Sequence, residues 1–327
     1  MKKDTLLGHV GRDPANHHGT INTPVFRAST IVFPDLETYS TRPADDYKTP
    51  RYGIHGNPTT WALEEAVAKM EGGYNAVAVC SGLAAINAAL CAFVKAGDHL
   101  LITDSAYGPT RTFCDKQLTG FGVQVEYYDP LIGAGINNLI KTNTKAIFCE
   151  APGSLSFEMQ DIPAIASVAH ACNIPVLADT TWGTPYFFRS FEHGVDVSIH
   201  AGTKYIVGHS DVMLGMIVTN EKYWLPVRRT VAEYGYCSSA DDCYLALRGF
   251  RMDGLDPIQI VGIGHVGRDD VAQRHPVALD RPVEMAKPLQ GDGGGCASGC
   301  SPGDGLALCD QHGLGPEKAG TLHLPRQ

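Results

Sequence analysis

The chain contains no run of about eighteen apolar residues, which leaves no segment of the length a membrane-crossing helix needs. It also lacks a basic excess. The formal net charge is -9, whereas nucleic acid and anionic membrane surfaces are bound through a positive face. The opening stretch MKKDTLLGHVGRDPANHH has no apolar core of signal-peptide length. Ten cysteines, at 80, 91, 114, 149, 172, 237, 243, 296, 300 and 309, are scattered rather than grouped, and the first five sit within apolar segments. That usage reads as reduced, buried thiols in a cytoplasmic enzyme, not as a disulfide frame.

Aromatic residues are missing from one whole region. All 27 Phe, Tyr and Trp residues lie at or before Phe250, and none lies in the 75 residues after Met252. That region is instead rich in glycine and proline, as in GDGGGCASGCSPGDG. Aromatics supply much of the area a core buries, so residues 253–327 are expected to form a weakly ordered or aberrant tail. An out-of-frame reading or a truncated gene would give this pattern. Two motifs in the tail have little chemical weight. IQIVGIGHVGRDD (258–270) spells GxGxxG, but Pro276 cuts short the helix a dinucleotide site requires, and Asp280 comes too early for the ribose. Cys296, Cys300, Cys309 and His312 have a zinc-like spacing without flanking hairpin signals, so no metal site is assigned.

Before the seam, short apolar runs alternate with helical stretches. AVAVC (76–80), HLLITD (99–104), VQVEYYD (123–129), AIFCE (146–150), PVLAD (175–179) and VDVSIHA (195–201) read as buried strands. LAAINAALCAFV, PTRTFCDKQL and PAIASVAHAC read as the helices between them. This alternation predicts a three-layer α/β/α fold with a mostly parallel sheet, over residues 53–252. Residues 1–52, with the β-branched TINTPVFRASTIVF, suit an extended arm packing on a neighbour.

Ligands of such sheets sit at the carboxyl ends of the strands. PVLAD ends on Asp179, and VDVSIHA leads to Lys204. AVAVC runs straight into SGLAAI, where the free N–H groups of Ser81, Gly82 and Leu83 at a helix start offer a seat for phosphate. HLLITD leads to Tyr107. A phosphate seat, an acid, an aromatic ring and a lysine together suit pyridoxal 5'-phosphate (PLP). A lysine amine, with a pKa near ~10.4, forms a Schiff base with an aldehyde once desolvation or a nearby cation activates it. A carboxylate such as Asp179 would hold the pyridine nitrogen protonated. Tyr107 would stack on the ring, and the Thr203 hydroxyl would add to the phosphate site.

On these residues the chain resembles the Cys/Met-metabolism family of PLP enzymes (fold type I) over residues 20 to 252. DVSIHAGTKYIVGHSD is similar to that family's cofactor-lysine signature, which implies Lys204 as the PLP lysine. LADTTW implies Asp179 as the pyridinium partner, SGLAAI the Gly82 and Leu83 amides as phosphate ligands, and SAYGPT Tyr107 as the stacking ring. PRYGIHGNPT (50–59) resembles the segment that crosses to a neighbouring subunit's site, with Tyr52 at the phosphate-binding tyrosine. Ile54 stands where the family usually has arginine, leaving Arg51 or His55 as substitutes. EAPGSLSFEMQD (150–161) and Trp182 resemble the β-lyase branch. The implied reaction is carbon–sulfur β-elimination, taking cystathionine to homocysteine, pyruvate and ammonia, with Lys204, Tyr107 and Tyr52 as catalytic groups. A γ-lyase or γ-synthase of the same family, or an inactive homologue, are the alternatives. The resemblance also implies a homodimer or homotetramer with shared sites. After RGFRM no counterpart appears of the family's Ser-Gly-Gly loop and substrate-carboxylate arginine, and Arg268, Arg274, Arg281 and Arg326 lie in no family context.

Overall fold

The computed structural model describes residues 2–43 and 47–252. The GxGxxG stretch, the Cys296–His312 set and the four late arginines lie outside the described residues.

Seven strands form one sheet: β1 (Asn75–Val79), β2 (His99–Thr103), β3 (Gln124–Tyr128), β4 (Thr144–Glu150), β5 (Val176–Asp179), β6 (Val197–His200) and β7 (Gly215–Thr219). Their order across the sheet is β1-β7-β6-β5-β4-β2-β3. The pairs β2–β3, β2–β4, β4–β5 and β5–β6 are parallel, whereas β7 runs antiparallel to both β1 and β6. Six of these strands coincide with the apolar runs of the sequence to within two residues. The seventh was not foreseen. It starts at Gly215 inside the run VMLGMIV, and although GHSD before it and Asn220 after it are turn residues, the run lacks polar–apolar alternation and its glycine disfavours a strand reading.

The helices are α1 (Lys3–His9), α2 (Leu36–Thr41), α3 (Pro58–Glu71), α4 (Gly82–Cys91), α5 (Gly108–Phe113), α6 (Ile162–Ala171), α7 (Thr184–Phe187), α8 (Glu221–Glu233) and α9 (Ala240–Phe250). The period of two along each strand sorts its side chains between two covering layers. On β1, Val77 and Val79 pack with residues of α4 and α8, while Ala76 and Ala78 pack with α1, α3 and α9. On β4, Ala146 and Phe148 join the α4 side, while Ile147 and Cys149 pack with α6. Every residue from His99 to Thr103 is buried, as a strand covered on both faces requires. The helix starts are chemically specified too. Asn57 caps α3 by accepting from Thr59 and Thr60 N–H groups, and Pro58 follows at the first helical position.

The N-terminal residues are held by the same core. Leu7 and Val10 are buried against α3, and Arg251 at the end of α9 donates to Val10 O and Asn22 Oδ1. Helices α1 and α2 were not expected in a stretch read as extended. TINTPVFRASTIVF itself carries no helix, and its one pairing is the bridge Thr30–Tyr52.

The cysteines correct one expectation in part. The described seven are free, but only Cys114, Cys149 and Cys243 are buried, and Cys80, Cys172 and Cys237 are exposed. Cys80 lies just past the end of β1 and Cys172 at the C-cap of α6, where the apolar segments run out of the core.

Candidate active site

The turn from β1 into α4 presents the first group. Ser81 is the N-cap, extended, and its Oγ accepts the Ala84 N–H at 3.1 Å. The N–H groups of Gly82 and Leu83 fall in the first turn, where no intrahelical acceptor exists, and the helix dipole adds partial positive charge there. Two glycines let this turn approach the sheet. A Cβ on Gly82 would lie 2.6 Å from Ala201 Cβ and 2.8 Å from Ala201 Cα. A Cβ on Gly215 would lie 2.0 Å from Ser81 O. The turn therefore sits directly against the end of β6 and the start of β7.

Beyond β6, the loop carrying Lys204 is closed by its own backbone. Lys204 N–H donates to Ala201 O at 3.0 Å, and Gly208 N–H donates to Lys204 O at 2.8 Å. Thr203 Oγ1 donates to Leu214 O at 3.1 Å and accepts the Leu214 N–H at 2.8 Å. Its single hydroxyl hydrogen thus serves the loop, and a phosphate oxygen would compete with that carbonyl for it. Lys204 is half-buried, and its Nζ lies 5.5 Å from the centroid of the Tyr107 ring. Tyr107 is the residue before α5, after β2, and is 41% exposed.

Asp179 closes β5 and is buried. Its Oδ1 accepts from Thr181 N–H at 3.0 Å and from Thr181 Oγ1 at 2.6 Å. Its Oδ2 has no hydrogen-bond partner among the described residues. Thr181 Oγ1 also accepts the Ala201 N–H at 2.8 Å. One hydroxyl thus ties the carboxylate of β5 to the residue from which the Lys204 loop departs. Across the neighbouring strand, Glu150 ends β4 in direct register with Asp179. Its Oε2 accepts the Tyr107 N–H at 2.8 Å, and its own N–H donates to Gln160 Oε1 at 3.0 Å. Burial, reinforced by the Asp179 charge, pushes the Glu150 carboxyl up to about 9, while the Tyr107 N–H and the Lys204 ammonium pull it back.

Behind these strand ends lies a buried polar network. Glu71, at the end of α3, faces His200 Nε2 at 3.0 Å and accepts from Ser190 Oγ at 2.7 Å and from Ser198 Oγ. Thr180, next to Asp179, is hydrogen-bonded to Ser198 Oγ at 2.5 Å. The His200 and Glu71 side chains are 2% and 0% exposed. Beside Lys204, Trp182 meets Tyr205 at 6.1 Å and Phe157 at 5.8 Å between ring centroids.

The fold thus brings together Lys204, Asp179, Tyr107 and the Ser81–Gly82–Leu83 turn at one set of strand ends. Tyr52 stands apart: its backbone pairs with Thr30 and its side chain is 51% exposed. Sequence reasoning did not single out Glu150 or Thr181 as site residues. Glu150 closes the run AIFCE, so the strand-end rule that found Asp179 applied to it equally. For Thr181 no sequence signal existed, because its role depends on β5 lying beside β6.

Residues 4–254 match the family described as Cys/Met metabolism PLP-dependent enzyme. A Rhizobium johnstonii protein provisionally named cystathionine beta-lyase is 48% identical over 280 residues, covering 84% of this chain and 70% of that protein. The cystathionine beta-lyase MetC of Escherichia coli is 38% identical over 259 residues, covering 78% of this chain and 65% of its own length. Among solved structures, a cystathionine gamma-lyase from Lactobacillus plantarum complexed with L-serine superposes with a TM-score of 0.72 at 31% identity. That match covers 78% of this chain and 65% of the other. The chain therefore spans about two thirds of the length of these proteins.

Proposed function

Because the chain belongs to the Cys/Met metabolism PLP-dependent enzyme family, we propose that it breaks the Cβ–S bond of cystathionine, releasing homocysteine, pyruvate and ammonia. The observation that carries this reading is the Lys204 amine facing the Tyr107 ring, on a loop that Thr181 ties to the buried Asp179 carboxylate.

The residues present fit the cofactor. The Gly82 and Leu83 N–H groups offer donors to its phosphate, in a cradle that a Cβ at position 82 would fill. Asp179 Oδ2, with Oδ1 held by Thr181, is free to take the ring N–H. Tyr107 offers a ring face. When bound, PLP supplies an electron sink that spreads negative charge from the substrate Cα. Lys204 would hold the cofactor at rest and, once displaced by the substrate amine, would take the proton from Cα. Asp179 would keep the ring nitrogen protonated through that step. The sulfur leaves Cβ as a thiolate, a good leaving group, with Lys204 Nζ or Tyr107 Oη supplying its proton. The β-lyase reading is supported over the γ-enzymes by the EAPGSLSFEMQD segment and by the higher identity to proteins named beta-lyase.

Residues 53–252 act in this reading as the cofactor-binding unit. A second copy of the chain supplies Tyr52, which is half-exposed in this one. Exposed apolar side chains on the same N-terminal stretch, Ile21, Val32 and Leu36, support its burial against that copy.

The test is product analysis with purified protein, PLP and cystathionine. Homocysteine and pyruvate are expected. Cysteine and 2-oxobutyrate would assign a γ-lyase, and a coloured protein that forms neither would be a cofactor-binding homologue without lyase activity.

A further inference from the structure

We propose that Glu150 is a positioning residue of this reaction: its carboxyl group tethers the Tyr107 ring over the Lys204 amine and leaves the negative charge at the ring-nitrogen end to Asp179 alone. This rests on the lyase reading above.

The geometry gives Glu150 a place between three functional groups. It lies in register with Asp179 on β5. On its other side, β2 leads to Tyr107, whose N–H it receives at 2.8 Å. That N–H sits at the start of α5, where no intrahelical acceptor exists, so the carboxyl group is its acceptor and adds to the backbone bonds Ala106 N–H to Thr103 O and Arg111 N–H to Tyr107 O that shape the same turn. The backbone of Glu150 is itself pinned by Gln160, which keeps the end of β4 from yielding.

Two carboxylates on adjoining buried strand ends do not both ionise cheaply. Asp179 receives two donors from Thr181, against one for Glu150, so the charge resides on Asp179. The groups acting on Glu150 are Asp179 from β5, the Tyr107 N–H from the β2–α5 turn and Lys204 from the loop after β6. Its carboxyl is pushed up to about 9, first by burial, so at neutral pH it is an acid with a hydrogen to donate. Its Oε1 has no hydrogen-bond partner among the described residues. A second full negative charge there would bind the Lys204 ammonium and oppose the free amine the chemistry needs.

The experiment compares the holoenzyme with Glu150→Ala and Glu150→Gln. Loss of the tether in Glu150→Ala frees the Tyr107 ring, and a misplacement of about 1 Å lowers kcat/KM on the order of 100-fold. Glu150→Gln keeps an acceptor without a charge and recovers about tenfold or more of that loss near pH 7. The visible cofactor band, followed against pH, contains a step in the wild type that is missing in Glu150→Gln. Apoprotein melting supplies a reading free of activity. The folded carboxyl is raised above its unfolded value of 4.5. The stability it contributes is therefore full below pH ~4.5 and is lost as pH rises through about 9. The melting temperature of Glu150→Gln relative to wild type accordingly climbs between pH 5 and 9. Identical visible titrations and a constant melting difference would overturn the proposal. So would a Gln variant as impaired as the Ala variant, which would mean that an ionised carboxylate is required. A wild type that shows no visible band with PLP would instead refute the functional reading itself, a result distinct from a band that the substitutions leave unchanged.

Discussion

Replacing Thr181 with valine removes one hydroxyl and keeps the shape. In the wild type that hydroxyl donates to Asp179 Oδ1 at 2.6 Å and accepts the Ala201 N–H at 2.8 Å. A hydrogen bond to a charged group contributes about 1.5–3 kcal/mol, and a buried donor left without an acceptor costs about 1–3 kcal/mol. Ala201 is only partly buried, so water recovers some of the second cost. The net destabilisation expected for Thr181→Val is about 2–4 kcal/mol. With a urea slope of about 2–3 kcal/mol per M for a domain of this size, the unfolding midpoint falls by roughly 1 M. Thr181→Ser retains both bonds and loses a methyl group, so its midpoint stays within about 0.5 M of wild type. PLP affinity should fall in the valine variant as well, because the same bond holds the carboxylate that meets the ring. Urea titration of the apoproteins and fluorescence titration with PLP read these two effects separately. A valine variant as stable as wild type, or a serine variant as weak as the valine one, would refute the assignment of Thr181 as the link between β5 and the Lys204 loop.

Three further outcomes follow from the geometry. Gly82→Ala places a methyl 2.6 Å from Ala201 Cβ, about 1 Å too close; the overpacking costs about 1–3 kcal/mol and outweighs the helix preference of alanine, about 1 kcal/mol. Its melting temperature should therefore drop and PLP should bind more weakly, whereas a stabilised variant with normal PLP binding would contradict the close packing of α4 on β6. His200→Leu removes the imidazole hydrogen bond from the buried Glu71 carboxylate, and calorimetry should register a loss of about 1.5–3 kcal/mol; a neutral result would mean that Ser190 and Ser198 alone satisfy Glu71. Sedimentation of the wild type should give a dimer or larger, and charged residues at Val32 and Leu36 should shift it toward monomer with loss of lyase turnover; full activity in a monomer would exclude a shared site.

What could be read in the sequence depended on the scale of the pattern. Five strands were visible because a strand buried on both faces is a continuous apolar run, as in HLLIT and AIFCE, whereas VQVEYYD, also read as buried, forms the edge strand β3, which is buried only at Tyr128. The seventh was hidden by Gly215, a residue that disfavours strands in general but is required here by the Ser81 carbonyl 2.0 Å from where its Cβ would be. Lys204, Asp179, Tyr107 and the Ser81–Leu83 turn were legible as polar groups following apolar runs. Thr181 and Glu150 acquire their roles only from the lateral order β6-β5-β4-β2, which a linear chain does not display. The pairing of Glu71 with His200 joins residues 129 positions apart and likewise depends on α3 packing against β1 and β7, with β6 next in the sheet. The thiols were misjudged where an apolar segment ends at the surface, as at Cys80 and Cys172.

The most direct measurement is borohydride reduction of the PLP-loaded protein, followed by proteolysis and mass mapping. A phosphopyridoxyl group fixed on Lys204, with the colour lost on reduction and weakened cofactor retention in Asp179→Ala, is the predicted result. A label on a different lysine, or a protein that takes up PLP equally well without Lys204 and Asp179, would contradict the account.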